Sequence, residues 1–157
     1  MDVVDYVKKI LGDMVKNVEV GKDVVQVEVD ISNIRDAAKK MKEAGFDHAK
    51  DVTAVHDKKE GKIRIIYHLS SYTNPELAKT IVGIYYTIPE SQDRVPTLYD
   101  IYTSVDFLER EIYEGFGIYF EGHPDMRPLL LAPTVAELKP MRRDFIVKEE
   151  NIFKVKK

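Results

Sequence analysis

The side chains best suited to acid–base or metal chemistry are four histidines, namely His48, His56, His68 and His123. Histidine can bind a metal or exchange a proton near neutral pH, but a metal site needs several ligands at a defined spacing. No pair has the spacing of an H-x-x-x-H or H-x-x-E-H motif. We therefore expect structural or surface histidines. The alternative is a stand-alone small-molecule enzyme or binding domain with a site around His123, which has Glu121 and Asp125 nearby.

Motifs for nucleophilic catalysis and nucleotide binding are missing. Ser70 and Ser71 have no G-x-S-x-G sequence around them. The pair Gly115-x-Gly117 lacks the third glycine of a dinucleotide fingerprint and follows a helix instead of preceding one. Cysteine is absent from the sequence, which excludes thiolate ligands for iron–sulfur clusters and cysteine nucleophiles. If the protein takes part in electron transfer, another polypeptide holds the clusters.

The densest group of charges is Glu109-Arg110-Glu111. Side chains two positions apart on a helix point in different directions, so the two carboxylates are not placed as the acid and base of a glycosidase. By itself such a run is typical of a solvated helix face.

Two segments in the first third of the sequence have the periodicity of amphipathic helices. The first covers residues 3–15, with Gly12 as its weakest position. The second begins near Ser32, its predicted N-cap, and ends at Gly45, because glycine is favoured just after a helix C-terminus.

A third helix is predicted before the glycine pair. Thr103 and Asp106 have the spacing of a capping box. Arg110 stands four residues from both Asp106 and Glu114, which predicts two ion pairs along the helix. Gly115 and Gly117 are predicted to end this helix, since glycine permits a left-handed turn.

Alternating apolar residues predict strands at 25–29, 51–56, 63–69 and 82–89, with a turn at 57–61 and a loop at 89–97. Prolines at 124, 128, 133 and 140 exclude long helices in the last part of the sequence. The predicted fold class is α/β in the sense of an α+β sandwich, with helices packed on a mostly antiparallel sheet and an extended irregular C-terminal arm. We predict a globular domain at 1–120 and a docking arm at 121–157.

Composition limits the range of functions. The protein has 157 residues, a net charge of −3 and no basic field that would recruit nucleic acid. We expect a cytoplasmic protein, since no apolar run could span a membrane and the first residues do not resemble a signal peptide. The many Lys and Glu residues resemble a thermophile composition. Seven basic against three acidic residues from Lys139 to Lys157 are typical either of a solvated tail or of an arm that docks on an acidic partner surface.

The order of motifs after residue 106 resembles the thirty-kilodalton subunit family of respiratory complex I and of related membrane-bound hydrogenases. The family has an E-R-E-x-x-D helix, then F-G-I-x-F-x-G-H-P-D-L-R, then P-L-R-K-D. The present sequence has E-R-E-I-Y-E at 109–114, F-G-I-Y-F-E-G-H-P-D-M-R at 116–127 and P-M-R-R-D at 140–144. The similarity covers roughly residues 50–145. Glu114 in place of the usual Asp and Phe107 in place of a common Trp favour a branch that feeds a hydrogenase or related unit.

The resemblance implies a cofactor-free subunit of the peripheral electron-transfer arm, on the cytoplasmic face of the membrane. Its partners would be the large catalytic and the small iron–sulfur subunits of the same complex, with only indirect contact to the membrane arm. The implied interface residues would form hydrogen bonds within the protein and to those partners; they are Glu109, Arg110, Glu111, Glu114, His123, Asp125, Arg127, Arg142, Arg143 and Asp144. Replacement of Arg110 or Arg142 by Ala is expected to weaken assembly.

Overall fold

A five-stranded sheet lies at the centre of the molecule, in a computed structural model that describes residues 2–146. Its strand order is β1-β2-β5-β4-β3, and only the β2–β5 pair is parallel. A separate pair of short parallel strands joins β6 to β7. The strands are β1 (Asn17–Val20), β2 (Val24–Glu28), β3 (His48–Asp57), β4 (Lys62–Ser70), β5 (Ile81–Pro89), β6 (Arg94–Pro96) and β7 (Tyr119–Glu121).

Helices cover one face and one edge of this sheet. The first helix packs on the second, the second contacts β5, and the third contacts β3. They are α1 (Val3–Leu11), α2 (Ile34–Glu43), α3 (Asp106–Phe116) and the short α4 (Pro133–Ala136). The predicted α+β class with a mostly antiparallel sheet is therefore confirmed.

Alternation along the strands explains why the sheet forms. Ile63, Ile65, Tyr67 and Leu69 of β4 are fully buried. Each pairs across the ladder with a buried apolar residue of β5, in the register Ile63–Ile88 to Leu69–Val82. Successive strand residues point to opposite faces, so this register places both apolar rows in one core.

Several predicted helix ends are wrong. The first helix ends at Leu11, since Gly12 adopts a φ of 55° and a 3₁₀ turn follows. Ser32 is not an N-cap, because its backbone N–H and hydroxyl both donate to the carboxylate of Asp30, which precedes a 3₁₀ turn before α2. Gly45 does follow the end of α2, with a φ of 109°.

The start of α3 also differs from the prediction. A 3₁₀ turn at Thr103–Val105 precedes the helix. Neither this turn nor α3 has a side-chain hydrogen bond that caps its N-terminus. The two predicted ion pairs of Arg110 are wrong as well. Asp106 lies against His123, and Glu114 accepts hydrogen bonds from backbone amides of the arm. Both carboxylates therefore face groups outside the helix instead of Arg110.

Three short strands were not predicted. β1, β6 and β7 have only three or four residues each, which is too short for an alternating pattern to be recognised. β6 lies in the segment expected to be a loop.

The segment after β7 has little regular structure. Within residues 122–146, which are all described, the structure has one helix, α4, and this helix has four residues. This agrees with the expectation that the prolines prevent long helices. Residues 147–157, which include the basic residues Lys148, Lys154, Lys156 and Lys157 of the predicted arm, lie outside the described residues.

Candidate functional site

Helix α3 and residues 121–146 form the site that carries the motif residues. Residues 121–146 are the described part of the predicted arm, and 'the arm' refers to them below. Glu109 points from α3 into the core and has 0% exposed surface. Its carboxylate accepts hydrogen bonds from the Tyr67 hydroxyl (2.9 Å), the Leu98 backbone N–H (2.9 Å) and the Thr97 hydroxyl (2.5 Å). Burial raises the pKa of Glu109, against the effect of these donors. This side chain joins α3 to the sheet.

Arg110 points from α3 towards the arm. Its guanidinium donates to the carbonyl oxygens of Arg127 (3.0 Å) and Pro128 (3.4 Å) and lies 4.0 Å from the Asp125 carboxylate. The ring of Phe107 lies under the same group, with 5.7 Å to the ring centroid. The planar guanidinium can serve several acceptors at once, so Arg110 holds the first part of the arm against α3.

Glu114 holds the next part of the arm. One of its carboxylate oxygens accepts hydrogen bonds from three consecutive backbone N–H groups, those of Leu129 (2.7 Å), Leu130 (2.9 Å) and Leu131 (3.0 Å). The side chain is buried. Hydrogen bonds to an ionised acceptor are shorter and stronger than neutral ones, so this carboxylate fixes the course of the main chain at 129–131.

Two glycines let the arm return closely to the end of α3. A Cβ on Gly115 would lie 2.6 Å from the sulfur of Met141, whose backbone N–H donates to the Gly115 carbonyl at 2.9 Å. Gly117 ends the helix with a φ of 71° and faces Lys139. Gly117 permits the expected left-handed turn. Gly115 is helical, and its lack of a side chain leaves room for Met141 to lie close to the helix.

The end of the described arm is attached at a second place on the sheet. Arg142 donates to the carbonyl oxygens of Phe116 (2.7 Å) and Glu90 (2.8 Å). The backbone N–H of Arg143 donates to Nδ1 of His56 at 3.1 Å. His56 is buried and its Nε2 lies 2.7 Å from the Glu90 carboxylate. Arg142 and His56 together join the arm to β3 and to the residue after β5.

His123 has both ring nitrogens occupied. Nδ1 accepts from the Asp125 backbone N–H at 3.0 Å, and Nε2 donates to the backbone carbonyl oxygen of Asp106 at 3.2 Å, with the Asp106 carboxylate 3.0 Å away. The side chain is fully buried. The neighbouring Glu121 is exposed and pairs with Arg94 at 3.8 Å. This arrangement gives no support to a small-molecule site around His123.

The remaining motif residues lie on the surface. Arg127 pairs with Asp125 through two short contacts of 2.5 and 2.7 Å, and this hydrogen bonding lowers the pKa of Asp125. Three further side chains are exposed and complete the predicted set; they are Glu111, Arg143 and Asp144. The structure therefore brings all ten predicted residues to α3 and the arm, five of them with side chains that hold the arm in place or join α3 to the sheet; these are Glu109, Arg110, Glu114, His123 and Arg142.

Sequence reasoning missed the acceptors and donors that face these residues. Tyr67, Thr97 and His56 are needed by the site but lie far from it in sequence. The alternating pattern did place Tyr67 in the core, and a buried tyrosine hydroxyl needs a hydrogen-bond partner. From that requirement, a polar partner for Tyr67 in the core could have been predicted.

Neither a metal centre nor a membrane span is present in the described part of the protein. Residues 2–146 contain no group of three or more His, Cys, Asp or Glu side chains that could hold a metal ion. No helix among them is long and apolar enough to cross a bilayer.

Comparisons with known proteins place the protein in a family. Residues 27–151 match the family model described as the respiratory-chain NADH dehydrogenase, 30 Kd subunit. NADH-quinone oxidoreductase subunit 5 of Thermus thermophilus is 35% identical over 112 residues, which are 66% of this chain and 53% of that protein. A subunit of the F(420)H(2) dehydrogenase of Methanosarcina mazei is 28% identical over 100 residues, 64% of this chain and 61% of that protein.

Solved structures agree with this assignment. A polypeptide of the membrane-bound sulfane sulfur reductase, an archaeal respiratory membrane complex, superposes with a TM-score of 0.82 at 31% identity, covering 99% of this chain and 90% of that one. A trypsin-resistant fragment of Nqo5 superposes with a TM-score of 0.68 at 26% identity, covering 80% of this chain and 99% of the fragment.

The match spans little more than half the length of these two curated relatives, 53% and 61%. The match to the family model, at residues 27–151, extends over most of the present sequence and includes α3 and the arm. The protein therefore belongs to the family of the 30 kDa subunit of respiratory-chain NADH dehydrogenase, whose relatives are subunits of complex I-like membrane-bound complexes.

Proposed function

We propose that this protein is a cofactor-free scaffold subunit in the peripheral electron-transfer arm of a complex I-like oxidoreductase, of the membrane-bound hydrogenase or NADH:quinone oxidoreductase type. It docks to the large catalytic subunit and the small iron–sulfur subunit, on the cytoplasmic face of the membrane. Membership of the family supports the kind of complex. The structure of the arm supports the docking.

The observation that carries the proposal is an arm with a fixed main chain and exposed apolar side chains. Leu130, Met141 and Ile146 are 75%, 61% and 67% exposed. The main chain at Leu130 is held by Glu114, and that at Met141 by the Gly115 carbonyl. A surface ordered before binding loses less conformational entropy when it binds, and burial of exposed apolar side chains against a partner is favourable.

The motif residues divide between two roles. Four buried members and the half-buried Arg142 shape the arm or join α3 to the sheet; the buried four are Glu109, Arg110, Glu114 and His123. The more exposed members face outward and are the ones we assign to contacts with partner subunits; they are Glu111, Asp125, Arg127, Arg143 and Asp144. Replacement of Arg110 by Ala should then weaken assembly by loosening the arm, without unfolding the sheet.

The test is an affinity purification of the tagged protein from native membranes dissolved in mild detergent, followed by mass spectrometry. Co-purification of a large catalytic and a small iron–sulfur subunit is the expected result. Nickel in the purified complex would select the hydrogenase type. Recovery of the tagged protein alone from the soluble fraction would contradict the proposal.

A further inference from the structure

A group of basic side chains lies where the β3–β4 turn meets the end of the arm. Lys58 and Lys59 of the turn and Arg143 of the arm line one shallow depression together with Val55, His56 and Asp57. We call this the basic depression. Val55 is exposed and His56 is buried, so the depression has apolar as well as cationic surface.

The carboxylates of the turn offset the charge of this group only in part, since Asp57 is one lining carboxylate beside three lining cations. Asp57 accepts hydrogen bonds from the backbone N–H groups of Lys59 (3.0 Å) and Glu60 (3.2 Å). The carboxylate of Glu60 lies 3.6 Å from Lys62. Within residues 2–146, the ion pairs include none made by Lys58, Lys59 or Arg143; the exposed Asp144 adjoins Arg143 without such a pair.

The arm adds further positive charge beside the depression. The guanidinium of Arg142 donates to two neutral carbonyl oxygens, those of Phe116 and Glu90. The Glu90 carboxylate is directed to His56. The protein as a whole has a net charge of −3, whereas three of the four charged side chains that line the depression are basic.

The main chain under these residues is well fixed. The turn is stabilised by Asp57 and by the Glu90 N–H, which donates to the Gly61 carbonyl at 2.9 Å. Arg143 is positioned through the hydrogen bond of its backbone N–H to His56. Cationic side chains that project from a fixed main chain are suited to a specific partner, because less backbone freedom is lost on binding.

We propose that the basic depression binds an acidic segment of a partner subunit in the same complex, an inference that rests on the proposed scaffold function. A polypeptide is favoured over an anionic membrane by two features. Membrane-binding basic segments contain about four to eight Lys or Arg residues, whereas within residues 2–146 three line this depression. A bilayer also presents its charge to the whole protein, whose net charge of −3 opposes such an approach, whereas a short segment meets only the local charge of the depression.

Two charge-reversal variants with the same change in net charge test the proposal. One is Lys58→Glu/Lys59→Glu; the matched control is Lys8→Glu/Lys9→Glu on the exposed side of α1. Each is expressed beside differently tagged wild-type protein, and the ratio of the two forms in the purified complex is measured at low and high salt. Thermal unfolding of the isolated variants checks that both fold.

The Lys58/Lys59 variant should be depleted roughly tenfold at low salt, with a smaller effect at high salt, because ion pairs at an interface rim are screened by salt. The control should enter the complex like wild type. Equal incorporation of both variants would overturn the inference while leaving the scaffold function intact. Failure of the wild-type protein to co-purify with any subunit would instead overturn the scaffold function.

A carbodiimide cross-linker, which joins lysine to carboxylate without a spacer, identifies the partner chemistry in the intact complex. Cross-links from Lys58 or Lys59 to Asp or Glu residues of another subunit are expected. If these lysines form none, and the variant instead loses binding to vesicles with anionic lipids, a membrane surface replaces the acidic segment as the occupant and the inference fails.

Discussion

At the scale of single residues, the two buried carboxylates of α3 have different partners. Glu109 accepts three hydrogen bonds from the sheet side of the helix, and Glu114 accepts three from the arm. A buried carboxylate is costly unless donors surround it. These two side chains meet that condition and fix the helix between the sheet and the arm.

The first prediction concerns Glu109. Its replacement by Ala leaves the donors on Tyr67, Thr97 and Leu98 without their acceptor, so the free energy of unfolding should fall by about 3 kcal/mol or more. The matched control is Glu111→Ala, two positions along the same helix and exposed, which should cost less than about 0.5 kcal/mol. Urea unfolding of the isolated protein measures both. Equal losses would show that Glu109 has no special role.

The second prediction is the pH dependence of the same site. Burial raises the pKa of Glu109 in the folded protein, so its protonated form contributes stability that is complete below the unfolded pKa of about 4.3. That contribution is lost as the pH rises through the folded pKa. Glu109→Gln cannot titrate there, so the stability of wild type minus that of this variant should decrease as the pH rises from about 4.

Urea titrations of both proteins at stepped pH measure this difference. The other carboxylates are common to both proteins and cancel in the comparison. A difference that stays constant, or grows with pH, would contradict a raised pKa for Glu109.

The sequence identified Glu109, Arg110 and Glu114 as important but could not assign their partners. The donors on Tyr67 and Thr97 lie 42 and 12 residues away in the sequence. Which residue of β4 faces α3 depends on the register of the sheet and the position of the helix beside it. Local patterns do not contain that information, so ion pairs within the helix were predicted instead.

At the scale of elements, the arm depends on contacts with α3 because it has little regular structure of its own. In the described part, its hydrogen-bonded main chain is limited mainly to α4 and a few turns. Its course is set by Arg110, Glu114 and Arg142, each of which bonds to the backbone of another segment. Loss of one such side chain should release a local stretch.

The third prediction tests this for Glu114. In Glu114→Ala, the amides of Leu129, Leu130 and Leu131 lose their shared acceptor and should exchange hydrogen for deuterium faster than in wild type. Amides of β4 should keep their protection, because they do not depend on the arm. Mass spectrometry of exchanged peptides measures both regions. Unchanged exchange at 129–131 would mean that Glu114 does not hold the arm.

The fourth prediction concerns the close approach of Gly115 and Met141. Gly115→Ala places a methyl group 2.6 Å from the Met141 sulfur, so it should destabilise the protein by about 1 kcal/mol despite the better helix propensity of alanine. In a Met141→Ala background the methyl group has more room. There the same change should be neutral or stabilising, by up to about 1 kcal/mol.

A double-mutant cycle from urea unfolding gives the coupling between the two positions. Additive effects would mean that Met141 does not pack on Gly115. The long strands and the helices were predictable from period and composition, but this contact was not, because no sequence pattern shows which part of a proline-rich segment returns to a helix.

At the scale of the whole molecule, the arm carries surface that a domain folding alone does not need. Exposed Leu130 and Met141 lie on main chain that is held firmly, and the positive charge of the arm's end opposes the sign of the protein. The sequence predicted a docking arm from prolines and charge. It did not predict that the buried carboxylate of Glu114 holds part of the arm in a fixed position.

The last prediction separates docking from folding. Leu130→Glu changes a side chain that is 75% exposed, so the free energy of unfolding of the isolated protein should change by less than about 0.5 kcal/mol. In a complex, burial of a leucine against a partner contributes roughly 1.5–3 kcal/mol. A buried glutamate would be opposed further by its desolvation, so this variant should be depleted at least about tenfold from the purified complex in competition with wild type.

The control is Val20→Glu on the edge strand β1, where the side chain is 66% exposed, and it should enter the complex normally. Equal incorporation of the two variants would place the docking surface away from Leu130.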